Sequence, residues 1–406
     1  MRRKKIVMVI PQLSLGGAEH SFFKVYSRLV KTYHVEVVLF NRTGELAYPI
    51  PENSIHSLDV NGGNGYLGKL IALFKRYRKL RKLVEREKPD IILSYLEGAN
   101  YLVCFLPETY RRIISQRGSV YHDETMNSSF RLVRQKLLIP YLYPRADHVV
   151  ALNKGIAAEL AEITGMKHGI TVIPNMFPHQ EIQHLAESNS AQINNPHNRY
   201  ILCVAGRLAP EKGYHHLIQI MSKLSKKRPG LFSLLIMGEG PEYERLTLIA
   251  DNLELSRVDD FSDHIELSAD IIFLGRRKNP YSIIGKSDAL LISSSSEGGP
   301  NILVESMICK TLVISANCPS GPRVHIAPNK EVPFSISKPV ISENGILMPG
   351  FSQENNDDVY NCWADFLNDF VRKSDLTNQI VESAFEYSYN FRFENVSNQW
   401  VSILEQ

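Results

Sequence analysis

Residues 289–305 read ALLISSSSEGGPNILVE and decide the fold class, because an apolar run, a serine- and glycine-rich loop and a second apolar segment follow one another. The run 289–293 begins with four apolar residues without polar alternation, which is typical of a strand buried on both faces of a parallel sheet. Pro300 stands where the next helix would begin, a position at which its missing N–H costs no hydrogen bond. The stretch predicts one strand–loop–helix unit.

The same unit recurs along the chain on both sides of this stretch. In the first half, the predicted strands are 5–10, 34–40, 90–96, 112–115, 148–153 and 171–174. In the second half, they are 200–205, 232–237, 271–274, 289–293, 312–316 and 345–348. Segments with helical spacing, such as 19–30 and 69–88, lie between them. The sequence therefore predicts an α/β protein of two tandem doubly wound, Rossmann-like domains, with ligands in the cleft between them.

A polar stretch separates the two series and marks the expected domain boundary. Residues 176–198 are rich in Asn, His, Gln, Ser and Pro and hold few large apolar side chains, which is typical of a linker around one short helix. The predicted first domain is therefore 1–175, the linker is 176–198, and the second domain begins at residue 199.

The bulk composition excludes several classes of protein. With 406 residues, 44% hydrophobic and 22% charged, the chain is neither disordered nor collagen-like nor a disulfide scaffold. Its five cysteines show no C-x-x-C spacing, which favours a reducing compartment and argues against a zinc site. No run approaches the roughly 18 apolar residues that cross a bilayer. The sequence predicts a soluble or peripheral protein.

Charge is distributed unevenly although the net charge is only +3. Residues 1–175 carry 26 Lys and Arg against 15 Asp and Glu, whereas the remainder carries 20 against 28. Segment 69–88 alone holds nine basic residues with apolar residues at helical spacing, a pattern that suits an anionic membrane surface. A helix packed on the sheet with a solvated basic face fits equally well. Arg131, Arg134, Lys136 and the apolar run 137–141 are expected to act with it.

Glu297 and Glu305 bracket the loop and the helix start of the opening stretch. Glu297 would project from the carboxyl end of the strand, and Glu305 would lie about two turns into the helix. The N–H groups at that helix start can hold a diphosphate, and carboxylates accept hydrogen bonds from sugar and ribose hydroxyls. The motif suits a sugar nucleotide, and the alternative is a pair of solvated glutamates on an ordinary helix.

A second loop, residues 206–213 (GRLAPEKG), directly follows the predicted strand 200–205. Arg207 and Lys212 are five residues apart, so both can reach one diphosphate and neutralise the charge on a leaving group. The alternative is an arginine and a lysine that simply face solvent.

Glycines follow two further strands. In LGGAE, residues 15–19, Gly16 and Gly17 would let the backbone approach a phosphate, or they form a tight turn. The spacing is not G-x-G-x-x-G and no acidic residue closes the second strand, so an NAD site is not indicated. Gly238-Glu239-Gly240 ends the strand 232–237 in the same manner.

Together these motifs resemble the retaining glycosyltransferases of family 4, which have the GT-B fold. The matching motifs, in the family's order, are GGAE at 16–19, G-R-x-x-x-x-K-G at 206–213, G-E-G at 238–240 and E-G-x-P-N-x-x-x-E at 297–305. Residues 318–323 (CPSGPR) look like a loop common in members that build bacterial polysaccharides on polyprenyl-diphosphate acceptors. The resemblance spans nearly the whole chain. It implies an acceptor-side domain 1–175, a donor domain 199–384 and a helix 385–406 that returns to the first domain.

The resemblance also implies roles for single residues. Arg207 and Lys212 would bind the donor diphosphate, Glu297 the donor sugar and Glu305 the ribose, and the first three are the candidate catalytic residues. The other candidate donor-binding residues are Gly16, Gly17, Gly206, Gly238, Glu239, Gly298, Gly299, Pro300, Asn301, Ile302 and Leu303. Such enzymes generally need no metal, and this sequence has no D-x-D motif. No cofactor is expected, since the nucleotide sugar is a co-substrate.

One position departs from the family's pattern. Many relatives have a histidine after the fourth strand of the first domain, near the reacting sugar. Here Gln116 or Arg117 occupies that position. His122 lies five residues beyond Arg117 and either replaces the histidine or is a surface loop residue. Arg117 and His122 are the candidate acceptor-side residues.

The sequence therefore predicts a retaining, metal-independent hexosyl- or N-acetylhexosaminyltransferase. Its expected donor is UDP-linked, and its expected acceptor is a membrane-associated, polyprenyl-diphosphate-linked glycan in surface polysaccharide assembly. The expected location is the cytoplasm, at the anionic inner face of the cytoplasmic membrane. No nucleic-acid partner is expected. The alternatives are a GT-B nucleotide-sugar epimerase and, in a different class, a basic nucleic-acid-binding protein.

Overall fold

The structure, a computed structural model, contains two compact α/β units. It describes residues 3–14, 16–42, 47–63, 65–121, 128–318, 321–352, 355–370 and 374–406. The first unit is Met1–Met176 with Phe393–Gln406, and the second is Phe177–Arg392.

The first unit is built on a seven-stranded sheet in which every neighbouring pair is parallel. Its strands are β1 (Lys5–Ile10), β2 (His34–Leu39), β3 (Ile55–Ser57), β4 (Ile91–Tyr95), β5 (Arg111–Gln116), β6 (His148–Ala151) and β7 (Ile170–Val172). Their order is β3-β2-β1-β4-β5-β6-β7. The central strands are buried on both faces, as uninterrupted apolar runs predict.

Helices cover both faces of this sheet and close two core clusters. They are α1 (Gly17–Leu29), α2 (Gly65–Glu87), α3 (Glu97–Cys104), α4 (Ser128–Val133), α5 (Ile139–Leu142) and α6 (Lys154–Thr164). A single π-helical turn, Arg134–Leu138, joins α4 to α5.

The second unit has an eight-stranded sheet and a small two-stranded one. Its strands are β8 (Gln192–Asn194), β9 (Tyr200–Ala205), β10 (Phe232–Met237), β11 (Arg257–Asp259), β12 (His264–Glu266), β13 (Ile271–Gly275), β14 (Ala289–Ile292), β15 (Leu312–Ala316), β16 (Val340–Ser342) and β17 (Gly345–Met348). The large sheet has the order β11-β13-β10-β9-β14-β15-β17-β16 and is parallel except between β16 and β17. Strands β8 and β12 pair separately.

The helices of the second unit again cover both faces of its large sheet. They are α7 (His179–Glu187), α8 (Tyr214–Lys227), α9 (Tyr243–Asn252), α10 (Tyr281–Ile284), α11 (Asn301–Ile308), α12 (Pro322–Ile326), α13 (Asp357–Phe370) and α14 (Ser374–Ser388). The last helix, α15 (Phe393–Glu405), belongs to the first unit. Across the described ranges, every helix is too short or too polar to traverse a bilayer.

The boundaries of the two units in the structure differ from the predicted domain boundaries. The expected linker, residues 176–198, contains α7 and β8, and all of it except Met176 belongs to the second unit. The reason is that a few apolar residues at helical spacing, Ile182 and Ala186 among them, pack into the core although polar residues surround them in sequence. The second unit also extends to Arg392, so the returning segment begins at Phe393 and not at residue 385.

In each sheet the earlier strands of the unit lie on one side of a central strand pair and the later strands on the other, and the functional loops are expected at this central reversal. In the first sheet the reversal lies between β1 and β4, and in the second it lies between β9 and β14. At such a reversal the connections leave in opposite directions and open a crevice at the carboxyl ends of the strands, where ligands of open α/β sheets bind. The structure thus confirms the predicted α/β class with two Rossmann-like domains.

Trp400 anchors α15 to the first unit and provides a test of that docking. Its side chain is 1% exposed and stacks on Tyr95 with ring centroids 5.7 Å apart. We expect Trp400→Phe to destabilise the first unit by about 1–2 kcal/mol, because a smaller ring leaves part of this site unfilled. Hydrogen exchange should speed up in β1 and β4 and stay unchanged in β10 and β13. Equal protection of β4 in both proteins would contradict this docking.

Candidate active site

The candidate site of the second unit lies where β9 and β14 run side by side. Ala289 pairs with Leu202 across these parallel strands, so both strands end at the same edge of the sheet. The loop that follows β9 contains residues 206–213, and the loop that follows β14 contains residues 293–300. The fold therefore brings together two motifs that are about 85 residues apart in the sequence.

An ion pair joins these two loops. Lys212 Nζ donates to Glu297 Oε1 at 2.6 Å, and Ser294 Oγ donates to the same oxygen at 2.6 Å. The side chains of Lys212 and Glu297 are 28% and 12% exposed. A charge-assisted pair so little hydrated is stronger than a surface pair. The structure thus joins the lysine and the first glutamate that the sequence singled out separately.

The loop backbones touch closely beside this pair. Gly213 has φ +64°, and a Cβ added there would lie 2.5 Å from the carbonyl oxygen of Ser293. The hydroxyl of Ser293 in turn donates to the carbonyl oxygen of Lys212 at 2.7 Å. Glycine is required at this position because a side chain would push the two loops apart and separate Lys212 from Glu297.

Arg207 lies on the same loop as Lys212 but has a different partner. Its Nη2 donates to Glu211 Oε1 at 2.8 Å, and its side chain is 70% exposed. An exposed pair of this kind contributes little to stability, so the guanidinium is free to exchange Glu211 for a diphosphate at small cost. Arg207 and Lys212 are therefore on one loop, as predicted, with Lys212 already fixed and Arg207 open to solvent.

Backbone hydrogen bonds connect this loop to the G-E-G turn after β10. The N–H of Gly206 donates to the carbonyl oxygen of Met237 at 3.0 Å, and the N–H of Leu208 donates to that of Glu239 at 2.9 Å. Gly238 has φ +152°, and a Cβ there would overlap the carbonyl oxygen of Gly206. Both glycine-rich turns therefore form one backbone surface at the sheet edge.

Next to this surface is a cavity of about 310 Å³ that the sequence analysis missed. Its walls are Gly238, Glu239, Gly240, Tyr243, Phe261, Phe273 and Gly275. Tyr243 packs edge-on against Phe273 and donates from its hydroxyl to Asp259 Oδ2 at 2.8 Å. Burial and the Asp259 carboxylate raise the pKa of Tyr243. The available sequence signal was three aromatic residues, at the start of α9 (Tyr243), in the loop before β12 (Phe261) and within β13 (Phe273), and such a signal does not by itself distinguish a cavity from packing.

Glu305 lies on α11, which begins at Asn301 directly after Pro300, as predicted. It is the fifth residue of the helix and is therefore in its second turn. Its carboxylate is largely buried and accepts a hydrogen bond from Tyr281. Burial and this carboxylate together raise the pKa of Tyr281.

The neighbours of Glu305 on α11 include Leu303, which the sequence placed among the donor-binding candidates. Its side chain is buried in the core of the second unit, and its N–H donates to the carbonyl oxygen of Pro300 at 3.1 Å. The side chain of Leu303 therefore packs towards the sheet with the apolar face of α11, and its role in donor binding stays a prediction. Ile302 also packs partly against that core. Gly298, Gly299 and Asn301 lie in the turn and at the helix start, where the sequence placed them.

In the first unit, Gly16 and Gly17 form the start of α1. The helix begins at Gly17, and Gly16 is its N-cap in an extended conformation. The glycine turn therefore opens the first helix at the β1 end of the strand reversal, as the sequence predicts. The role of the two glycines in donor binding stays a prediction.

Arg117 is buried, whereas a residue that contacts an acceptor from the first unit was expected to be exposed. It is 7% exposed, its Nη2 donates to Ser21 Oγ at 3.0 Å and to Asn175 Oδ1, and its guanidinium lies 5.4 Å from the ring centroid of Tyr95. Burial lowers the pKa of Arg117. The hydrogen bonds to α1 and to the segment after β7 draw this side chain inwards.

The other two candidates near β5 differ in what the structure says of them. Gln116 is buried too, and its Nε2 donates to Glu97 Oε1 and to the carbonyl oxygen of Gly118, both at 2.9 Å. His122 lies outside the described residues. No group of three or more His, Cys, Asp or Glu side chains suited to a metal ion is found in the described part of the chain.

Two family models match the chain, one mainly in each unit. Residues 15–181 match Glycosyltransferase Family 4, and residues 186–346 match Glycosyl transferases group 1. The first match includes the glycine turn at α1. The second includes both loops that carry Lys212 and Glu297.

Individual proteins of known name are similar over most of their length. An uncharacterised glycosyltransferase of Methanocaldococcus jannaschii is 23% identical over 97% of this chain and 98% of its own. The N-acetylgalactosamine-N,N'-diacetylbacillosaminyl-diphospho-undecaprenol 4-alpha-N-acetylgalactosaminyltransferase of Campylobacter jejuni is 26% identical over 79% of this chain and 82% of its own. The crystal structure of Anabaena HepE in complex with UDP and glucose superposes with a TM-score of 0.70 at 16% identity, covering 99% of this chain and 100% of that one.

Proposed function

Since this chain is a family-4-like glycosyltransferase with the GT-B fold, we propose that it moves a hexose or N-acetylhexosamine from a UDP-linked donor, with retention, to a polyprenyl-diphosphate-linked glycan. The observation that carries the proposal is the Lys212–Glu297 ion pair at the strand reversal of the second unit. The Lys212 ammonium, which can bind the diphosphate, is hydrogen-bonded to the Glu297 carboxylate, which can bind the sugar hydroxyls.

The proposed reaction breaks the bond between the anomeric carbon and the diphosphate oxygen. A hydroxyl oxygen of the acceptor bonds to that carbon on the face the diphosphate leaves, and its proton passes to the departing phosphate oxygen. Lys212 and the exposed Arg207 neutralise the negative charge that develops there, so no metal ion is needed for it. Glu297 accepts hydrogen bonds from the sugar and fixes its orientation.

The nucleoside is proposed to occupy the surface from the aromatic cavity to α11. Tyr243 and Phe261 provide aromatic faces in a cavity that adjoins the Gly206 and Gly238 backbones, which suits a flat base attached to a diphosphate. Glu305, a buried carboxylate already bonded to Tyr281, is the proposed acceptor of ribose hydroxyls. UDP is favoured as the nucleotide because the Anabaena neighbour was solved with UDP.

The first unit is proposed to serve the acceptor at an anionic membrane surface. Helix α2 carries most of the basic residues of segment 69–88, and Lys75, Arg78 and Lys82, one or two helical turns apart, are exposed. The Campylobacter relative is named for an undecaprenol diphosphate substrate, which resides in a membrane. Basic residues on one helix face attract anionic headgroups.

The alternatives predict different reactions. A nucleotide-sugar epimerase would change the donor without an acceptor, and a nucleic-acid-binding protein would bind DNA as well as it binds anionic vesicles. A vesicle and DNA pull-down over a salt series separates the second alternative from the proposal.

A donor screen tests the proposal directly. The protein is incubated with a panel of UDP- and GDP-sugars without acceptor, and nucleotide release and sugar products are followed. We expect slow release of UDP from one UDP-sugar, with the sugar hydrolysed and its stereochemistry otherwise intact. Release of GDP alone would overturn the choice of base, and an epimerised sugar would overturn the transfer reaction.

A further inference from the structure

Large apolar side chains are exposed on the segment from α4 to α5 of the first unit. Leu132, Leu137 and Tyr141 are 56%, 53% and 71% exposed. Soluble proteins expose single apolar residues commonly, but a group of them marks an interaction surface.

The π-helical turn explains why these residues share a face. In a π turn, the N–H of one residue bonds to the carbonyl oxygen five positions earlier, and Ile139 N–H does so to Arg134. Positions five apart are therefore stacked across this turn, so Leu132 lies above Leu137, and Tyr141 follows one α-helical turn later. An uninterrupted α-helix would rotate Leu132 away from the other two.

The inward face of the turn is fixed by Arg134, which the sequence analysis expected on the basic surface. Arg134 is 1% exposed, ion-pairs Glu97 and donates to the carbonyl oxygens of Ser119 and Val120, both at 2.9 Å. A buried, fully bonded guanidinium holds the turn in register. Arg134 thus turns the apolar row outwards and does not itself face a partner.

Helix α2 contributes a second exposed apolar group on the same side of the sheet. Leu70 and Phe74 are 62% and 59% exposed. The inward residues of both segments, Leu80 of α2 and Ile139 of α5, belong to one core cluster, so both segments cover the same face of the first sheet. The guanidinium of Arg78 lies 5.8 Å from the Phe74 ring centroid, so apolar and basic groups adjoin.

We propose that Leu132, Leu137 and Tyr141 insert into a phospholipid bilayer, while the basic face of α2 binds its anionic headgroups. The inference rests on the proposed function in that a lipid-linked acceptor requires the enzyme at a membrane. Charge complementarity favours a bilayer over a second copy of the chain. Arg131 and Lys136 flank the apolar row, so a symmetric contact between two such faces would oppose like charges, whereas lipid phosphates would neutralise them.

The two contributions have different dependences on salt, which provides the test. Flotation with vesicles of phosphatidylcholine and phosphatidylglycerol is measured over a salt series for the unchanged 406-residue chain and for two variants of it. In Leu132→Ser/Leu137→Ser/Tyr141→Ser, we expect at least about tenfold weaker binding at every salt concentration, because lost apolar insertion is not screened. In Lys75→Gln/Lys82→Gln, we expect weaker binding at low salt only.

The controls separate this inference from the proposed function. Leu248→Ser/Ile341→Ser removes exposed apolar residues from the second unit and should bind vesicles like the unchanged protein. The triple variant should hydrolyse the donor at the rate of the unchanged protein. If the triple variant is unstable, Leu137→Ser alone should also bind vesicles more weakly than the unchanged protein. Absent donor hydrolysis with intact vesicle binding would refute the proposed function alone. Unchanged vesicle binding by the triple variant would overturn the insertion. So would sedimentation that shows the unchanged protein as a dimer and the triple variant as a monomer, because the apolar row would then bind a second copy of the chain.

Discussion

Lys212→Ala is expected to lower kcat for sugar transfer by about a hundred- to a thousandfold, the loss seen when one preorganised charge at a reacting centre is removed. The cation would no longer neutralise the departing diphosphate. Glu297, 12% exposed, would also lose its charged partner and with it the orientation that serves the sugar. Glu297→Gln keeps the shape of the side chain and should cause a loss of similar size. Steady-state kinetics with saturating donor measures both.

Two further variants complete that test. Lys223 is also 28% exposed and also pairs with a carboxylate, Asp357, at 2.6 Å in the second unit, so Lys223→Ala is a matched control that should keep full activity. Because Lys212 and Glu297 act through one contact, the double variant Lys212→Ala/Glu297→Gln should lose less than the product of the two single losses. Full activity of Lys212→Ala, or equal losses at Lys212 and Lys223, would remove the pair from the reaction.

Gly238→Ala is expected to destabilise the second unit by about 2–6 kcal/mol and to abolish nucleotide binding. Strained backbone contributes about 1–3 kcal/mol, since Gly238 has φ +152°, and overpacking contributes a similar amount. The added methyl would overlap the carbonyl oxygen of Gly206 and separate the two loops that Leu208 and Glu239 join. Urea unfolding measures the first effect, and calorimetric titration with UDP measures the second.

Gly230→Ala is the matched control for that prediction. Gly230 also has a positive φ, +70°, but the nearest atom to an added Cβ is Arg199 Nη2 at 3.7 Å, an ordinary contact. It should cost only the backbone strain, about 1 kcal/mol, and leave the affinity for UDP unchanged. If both alanine variants bound UDP equally well, close packing of the glycine turns would not matter for the nucleotide.

Much of the fold could be predicted from the sequence, because parallel strands buried on both faces appear as uninterrupted apolar runs. The strands β1, β9, β10, β15 and β17 have the bounds that the apolar runs predicted. The strands that the analysis missed, such as β3 and β11, have three residues each. They lie at sheet edges, where half-exposed strands need no continuous apolar run. A run of three residues carries too little periodicity to be distinguished from a loop.

The candidate site could be predicted from the sequence only in part. Strand ends and motif spacing predict that Lys212 and Glu297 lie at one sheet edge, since parallel strands end together. That they form an ion pair depends on the close contact of Gly213 with Ser293, which involves residues far apart in sequence. The burial of Arg117 and Arg134 was not predictable, because their acceptors are mostly hydroxyl, amide and carbonyl oxygens without a sequence signal.

The central claim is tested most directly by the anomeric configuration of the first product. The protein is incubated with the UDP-sugar found in the donor screen and with polyprenyl-diphosphate-linked glycan acceptors, and the new linkage is followed by proton NMR as it forms. The account predicts one new glycosidic bond with the same anomeric configuration as the donor sugar, together with one equivalent of UDP. A product of inverted configuration, or release of UDP without any new linkage on such acceptors, would contradict it.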